Sequence, residues 1–244
     1  MHDETALRPD GLMIGRELVT VPPPWKLRGD GWVVFYNFDP AAHTGARSLL
    51  ERPGLEGAWR GGLGSVTWMQ YRESPVGRYD ELMLIPGRYE VPHRRGRKKK
   101  FFSISRIFVS SWESVAGGRA NWGIPKDRAD FHIERRADGH DVLSACVGER
   151  TVCEMVCKPG LFRLPLFTNG FFPITLMQQW EGRRLFTKFA VRSGLEWLDI
   201  VSLKGDGEYF PTMDGMKPIG AVKLDKFQVT FPVPRIMPVA EGAS

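Results

Sequence analysis

Asp130-Phe131-His132-Ile133-Glu134-Arg135-Arg136 and Asp141-Val142-Leu143-Ser144-Ala145-Cys146-Val147 flank the tetrapeptide Ala137-Asp138-Gly139-His140. Asp-Gly supplies the positive backbone φ that a tight turn needs, so the stretch reads as a β-hairpin. The same grammar recurs outward in both directions. Aromatic and β-branched runs at residues 32–38, 65–72, 81–89, 103–109, 151–158, 185–191, 197–202 and 221–231 read as strands. Helix signals are few: residues 41–52, between Asp39-Pro40 and Pro53-Gly54, and a single turn over residues 110–117. Many strands with short connections predict a mainly β (α+β) chain built on a closed or nearly closed antiparallel sheet.

The chain has 244 residues, 42% hydrophobic and 25% charged, enough for one large domain with a buried interior. Residues 1–24, ending in Pro22-Pro23-Pro24, read as an N-terminal arm able to dock on a neighbour, and residues 25–244 as the domain proper. The net charge of +6 is local, because Arg94, Arg95, Arg97, Lys98, Lys99 and Lys100 account for all of it. The run lies between two strand-like segments and lacks RNA-binding, zinc-finger or helix-turn-helix signatures. It reads as a solvated hairpin loop, and neither a nucleic-acid nor a membrane partner is expected. No basic-then-apolar leader opens the sequence, which makes a cytoplasmic location the expectation. Cys146, Cys153 and Cys157 are spaced unlike a zinc pair and read as reduced, buried, structural thiols. No metal is expected, and no cofactor either, since dinucleotide, P-loop and nucleophile-elbow patterns are all missing.

Chemistry concentrates in Gly117-Gly118-Arg119-Ala120-Asn121-Trp122-Gly123-Ile124-Pro125-Lys126. One lysine follows a proline among apolar and aromatic neighbours. Poor solvation weakens an amine's preference for its charged form and makes it a usable nucleophile toward a carbonyl. Trp122, Ile124 and Lys126 alternate, so an extended segment would present all three on one face. The competing reading is a surface lysine at the start of a strand, since lysine is seldom buried.

Gly118-Arg119, five residues, then Pro125-Lys126 resembles the active-site segment of the acetoacetate decarboxylase family, whose Gly-Arg and Pro-Lys are separated identically. Upstream, Tyr79-Asp80-Glu81, after a Gly77 turn and before an apolar run, is similar to that family's Tyr-x-Glu segment. The resemblance covers the middle third of the chain, is faint at the N-terminus and is nearly silent after Leu166. It implies a single domain around a cone-shaped antiparallel β-barrel with Lys126 in its mouth. It also implies Lys126 as an imine-forming amine, activated as the lysine of acetoacetate decarboxylase is, and Glu81 as the proton-transfer group. A homo-oligomer follows from the same resemblance. Two departures stand out: Asp127 replaces a second lysine, and Ala120 replaces a glutamate.

Strand alternation puts Asp80 and Glu81 on opposite faces, and residue 127 opposite residue 126. The family's arginine for the substrate carboxylate corresponds to the region of Arg28, whose plainer role is a loop arginine. Arg119 suits either substrate contact or holding backbone carbonyls. Trp68, Tyr79, Phe108, Trp122 and Ile124 are candidates for an apolar wall, with ordinary core packing as the alternative. The resulting expectation is a Schiff-base decarboxylase or carbon–carbon lyase, including aldolase-dehydratase, acting on a keto acid or related small carbonyl metabolite. The alternative is a non-covalent cyclase, isomerase or binding protein using the same cavity for a larger metabolite.

Overall fold

The computed structural model describes residues 20–42, 47–52, 54–93, 97–160 and 174–239. Among these, fifteen strands and two helices follow one another: β1 (Trp25–Phe38), α1 (Arg47–Leu50), β2 (Ala58–Glu73), β3 (Tyr79–Ile85), β4 (Arg88–Pro92), β5 (Lys98–Phe102), β6 (Arg106–Val109), α2 (Trp112–Trp122), β7 (Lys126–Arg128), β8 (Asp130–Arg135), β9 (Asp141–Val147), β10 (Arg150–Pro159), β11 (Ile174–Trp180), β12 (Arg183–Phe189), β13 (Val191–Gly205), β14 (Gly220–Phe231) and β15 (Arg235–Pro238). They form one sheet in the order β15-β12-β11-β5-β4-β2-β1-β14-β13-β10-β9-β8, with β3, β6 and β7 branching from β2. Pairing is antiparallel except for β11 with β5 and β6 with β7.

The architecture is the expected mainly β cone. The sheet curls strongly without closing on itself, and β12 comes back to pack against β14. Long strands allow this because they are bulged: the register of β1 shifts against β2 at Arg28/Gly29 and against β14 between Gly29 and Gly31, and each bulge bends and twists its strand. A methyl group on Gly29 would sit 1.9 Å from the Gln70 carbonyl oxygen, so the two strands close up only over glycine.

Alternation along the central strands sends side chains into two separate cores. Trp68, Leu82 and Phe108 enter the first, with Trp32, Val34 and Leu143. Their neighbours Met69 and Ile107 enter the second, with Trp25, Leu27 and Trp122. The sheet's middle is therefore covered on both faces, as the apolar run of β3 suggests. The functional question belongs to the second core.

Several expectations change in detail. The strand expected over residues 81–89 is two strands, broken by Pro86 and Gly87. The basic run is half strand: Lys98, Lys99 and Lys100 pair with β4 as β5, while residues 94–96 lie outside the described residues. The hairpin survives, with the lysines on its exposed face. The single turn expected over residues 110–117 is an eleven-residue helix, α2, which takes in Gly117-Gly118-Arg119. Of the helix expected over residues 41–52, only α1 is present among the described residues. The Asp-Gly hairpin matches closely: Gly139 has φ 85° and the Arg136 N–H donates to the His140 carbonyl at 2.8 Å. Cys153 and Cys157 are buried as expected, whereas Cys146 is half-exposed, and all three are free thiols. Residues 1–19 of the arm lie outside the described residues. Its last part docks on its own chain, the Val21 carbonyl accepting from Trp25 Nε1 (2.9 Å) and Asn121 Nδ2 (2.7 Å). No helix among the described residues is long and apolar enough to cross a membrane.

Candidate active site

Helix α2 sets the site. Ser111 caps its N-terminus, accepting from the Ser114 N–H at 3.2 Å, and Gly123 ends it in the left-handed conformation. Two glycines inside a helix are costly on propensity alone. Packing gives the reason for them. A methyl group on Gly117 would meet the Trp25 ring at 2.5 Å, and one on Gly118 would meet Lys126 Cδ at 2.6 Å and Cε at 2.8 Å. The lysine stem thus lies directly on the helix where it has no side chain. Ser114, four residues before Gly118 and on the same helix face, supplies a hydroxyl to the ammonium end.

The sheet fixes the other half. Met69, Glu81 and Val109 form one row across β2, β3 and β6, and Met83, Ile107 and Lys126 form the next across β3, β6 and β7. Glu81 and Lys126 are diagonal neighbours over β6 on the face that lines the second core. Lys126 Nζ donates to Glu81 Oε2 at 2.8 Å and to Ser114 Oγ at 2.9 Å. Both side chains are 5% exposed. The Tyr71 hydroxyl donates to Glu81 Oε1 at 3.0 Å, and the Tyr79 ring lies 5.2 Å from Nζ. Burial beside Glu81 raises both phenols well above their ordinary pKa, so they remain neutral donors.

The pair sits at the wall of a cavity of about 60 Å³ whose remaining lining is mostly apolar, including Trp25, Leu27, Met69, Trp122 and Ile124. Phe189 and Phe231, stacked with centroids 4.5 Å apart, are among its few partly exposed lining residues, with Met83 and Val191. A proton can pass from ammonium to carboxylate across one hydrogen bond, leaving a neutral amine facing a mostly apolar cavity. That is what nucleophilic addition to a carbonyl requires.

The structure brings Lys126, Glu81, Tyr79, Trp122 and Ile124 together. Trp122 ends α2 rather than lying in a strand, so the shared face comes from a helix end and a turn, not from alternation. Trp68 and Phe108 are a correction: both point to the opposite face of the sheet and pack in the first core. Arg28 is another. It alternates outward between the inward Leu27 and Gly29, its side chain is 57% exposed, and it meets Glu73 at 3.4 Å. Arg119 takes the backbone-holding role, its Nε donating to the Lys126 carbonyl at 2.9 Å and its guanidinium pairing with Asp127 at 2.6 Å. Asp127 points away from Lys126, as alternation requires. Sequence reasoning missed Ser114, Tyr71, Trp25, Leu27 and Met69. For Ser114 the usable signal was its four-residue spacing from Gly118. For Tyr71 it was direct pairing with Tyr79 across β2 and β3.

The curled, mainly β cone is the fold of the acetoacetate decarboxylase-like enzymes. Acetoacetate decarboxylase from Legionella pneumophila subsp. pneumophila str. Philadelphia 1 superposes with a TM-score of 0.58 at 14% identity, over 88% of each chain. The enduracididine biosynthesis enzyme MppR, complexed with pyruvate, gives 0.58 at 17% identity, over 88% of this chain and 91% of its own. An acetoacetate decarboxylase-like enzyme from Sphingomonas wittichii RW1 gives 0.59 at 14% identity, over 92% and 96%. A sequence profile of the acetoacetate decarboxylase (ADC) family matches residues 13–169, and the chain belongs to that family. It is a decarboxylase- or lyase-like enzyme. No curated protein matches it in sequence.

Proposed function

We propose that this enzyme forms a Schiff base between Lys126 and a keto acid or related small carbonyl metabolite, and makes or breaks a bond at the adjacent carbon. The observation that carries the reading is the buried 2.8 Å contact between Lys126 Nζ and Glu81 Oε2 at an apolar cavity. Glu81 takes a proton from the ammonium, and the freed amine adds to the carbonyl carbon. The carbonyl oxygen then departs as water with two of the three ammonium protons, leaving an iminium. That cation receives the electron pair released when a bond to the α-carbon breaks. Glu81 delivers or removes the proton there, and water hydrolyses the imine to restore the amine. Tyr71 holds the carboxylate in place, and Ser114 directs Nζ. The complex of the structurally similar MppR with pyruvate supports a small carbonyl ligand for this fold.

The test is reductive trapping. Wild-type protein incubated with β-keto acids and enals under borohydride should gain a ligand mass on the peptide containing Lys126. Lys126→Arg should gain none and lose activity, because a guanidinium keeps its charge. Full activity in Lys126→Arg, with no adduct in the wild type, would dismiss the covalent step and favour a non-covalent cyclase, isomerase or binding role.

A further inference from the structure

The cavity wall built by β1, β14 and β13 carries charge on its outer side. Leu27, Val229 and Val191 are partners in one row across those strands, and all three line the cavity. One residue along, Arg28, Gln228 and Arg192 form the next row, and alternation sends that row to the opposite face. All three of its side chains are exposed. Two arginines therefore stand two strands apart, about 10 Å, directly behind the cavity wall. Lys26 shares their face, two residues from Arg28, and Lys188 sits beside the lining residue Phe189. The four cations border one open groove, and none of the described residues lining it is acidic. Glu73 offsets one charge, at Arg28, so the group keeps three of its four. Phe189, Val191 and Phe231, three of the cavity's partly exposed lining residues, lie at the same corner.

On the Schiff-base reading above, we propose that Lys26, Arg28, Lys188 and Arg192 recruit and select an anionic carbonyl substrate from outside the cavity wall. None of them touches the reacting carbon. Charges of one sign beside a low-dielectric wall focus their field, and such a field raises association rates by about ten- to a thousandfold. At about 0.1 M salt that field reaches about 10 Å, the spacing of the two arginines. The Lys126–Glu81 pair sums to zero, so it offers an entering anion no net attraction, and the outer group supplies one. Arg28 then acts through its field, not as the carboxylate clamp expected from its place in the sequence. Arg192, which sequence reasoning passed over, is its counterpart in the same row. A product that has lost its carboxylate no longer feels the field, so the group favours entry of the acid over return of a neutral ketone.

The test compares levulinate with 2-pentanone, which carries a methyl group in place of the carboxylate. Each is incubated at sub-saturating concentration with the full chain and cyanoborohydride, and the adduct at Lys126 is quantified by peptide mass. Replacing Lys26, Arg28, Lys188 and Arg192 together by glutamine should slow levulinate labelling by about tenfold at low salt and leave 2-pentanone labelling unchanged. Salt at about 1 M, where a field reaches only about 3 Å, should slow levulinate in the wild type and do nothing further in the variant. Arg192→Glu alone should slow levulinate more than Arg192→Gln, because it reverses the charge at an exposed position. Glutamine at Lys98, Lys99 and Lys100 removes three charges from another part of the surface and should keep the wild-type ratio of the two labels. Levulinate labelling that ignores the four substitutions, falls equally with 2-pentanone, or falls as much on loss of the hairpin lysines would overturn the proposal and leave the imine reading standing. A wild type labelled by 2-pentanone and not by levulinate would do the same. No adduct at Lys126 from either compound would remove the imine reading, and the proposal with it.

Discussion

Glu81 is where a single side chain decides the most. It is buried, it holds Lys126, and Tyr71 holds it in turn. Glu81→Leu leaves an ammonium without a counter-ion inside the protein, and removing one member of a buried pair costs about 3–5 kcal/mol. Urea denaturation should register that loss, and trapping at Lys126 should stop. Tyr71→Phe is gentler: losing one hydrogen bond to a charged group costs about 1.5–3 kcal/mol, and turnover should fall while KM stays nearly unchanged. Asp127→Lys should leave the trapping rate close to wild type, because its side chain faces away from the cavity. Lys126 and Glu81 were singled out by the resemblance: composition alone favoured a surface lysine, and alternation allowed either Asp80 or Glu81 to face inward. Arg28 was misplaced because the strand register around the Gly29 bulge cannot be counted from sequence, and one residue exchanges inside for outside.

The elements were legible where local chemistry and tertiary structure agree. The hairpin of β8 and β9 follows from Asp138-Gly139 alone. Helix α2 was underestimated because Gly117 and Gly118 argue against a helix locally, while the Trp25 ring and the Lys126 stem need those positions bare. Gly118→Ala tests that account. It improves helix propensity, yet its methyl group collides with the lysine, so stability should drop by about 1–3 kcal/mol as for an overpacked core. Imine trapping should slow more than tenfold as Nζ leaves Glu81; unchanged stability and rate would show that the helix yields freely. The basic hairpin makes a contrasting case. Lys98, Lys99 and Lys100 are exposed on β5, so replacing them with glutamine should alter solubility and salt response and leave turnover unchanged. A large fall in rate at constant substrate affinity would make that hairpin part of the site instead.

At the scale of the whole molecule, the two cores share their walls. Trp68 and Met69 are adjacent on β2, as are Ile107 and Phe108 on β6, and each pair divides between the cores. β1 does the same with Leu27 and Trp32. Neither core can melt without stripping one face from strands the other still needs, so we propose that residues 25–244 unfold as a single domain. Sequence could suggest this from length and from a resemblance confined to the middle third, but it could not show two cores, because alternation in a strand covered on both faces looks like one continuous apolar run. Calorimetry should give one endotherm whose van't Hoff and calorimetric enthalpies agree, with an enthalpy on the order of 170 kcal/mol near 60 °C for a chain of this length. Near-ultraviolet circular dichroism and protection of Cys153 and Cys157 from a thiol reagent should be lost together, since burial pushes the Cys157 thiol up to about 12 and Cys153 higher still, keeping both unreactive while the fold holds. Half-exposed Cys146 should react before the transition. Thiol exposure well below the loss of the tryptophan signal would mean that the first core opens alone, and that the site-bearing second core is a separable unit.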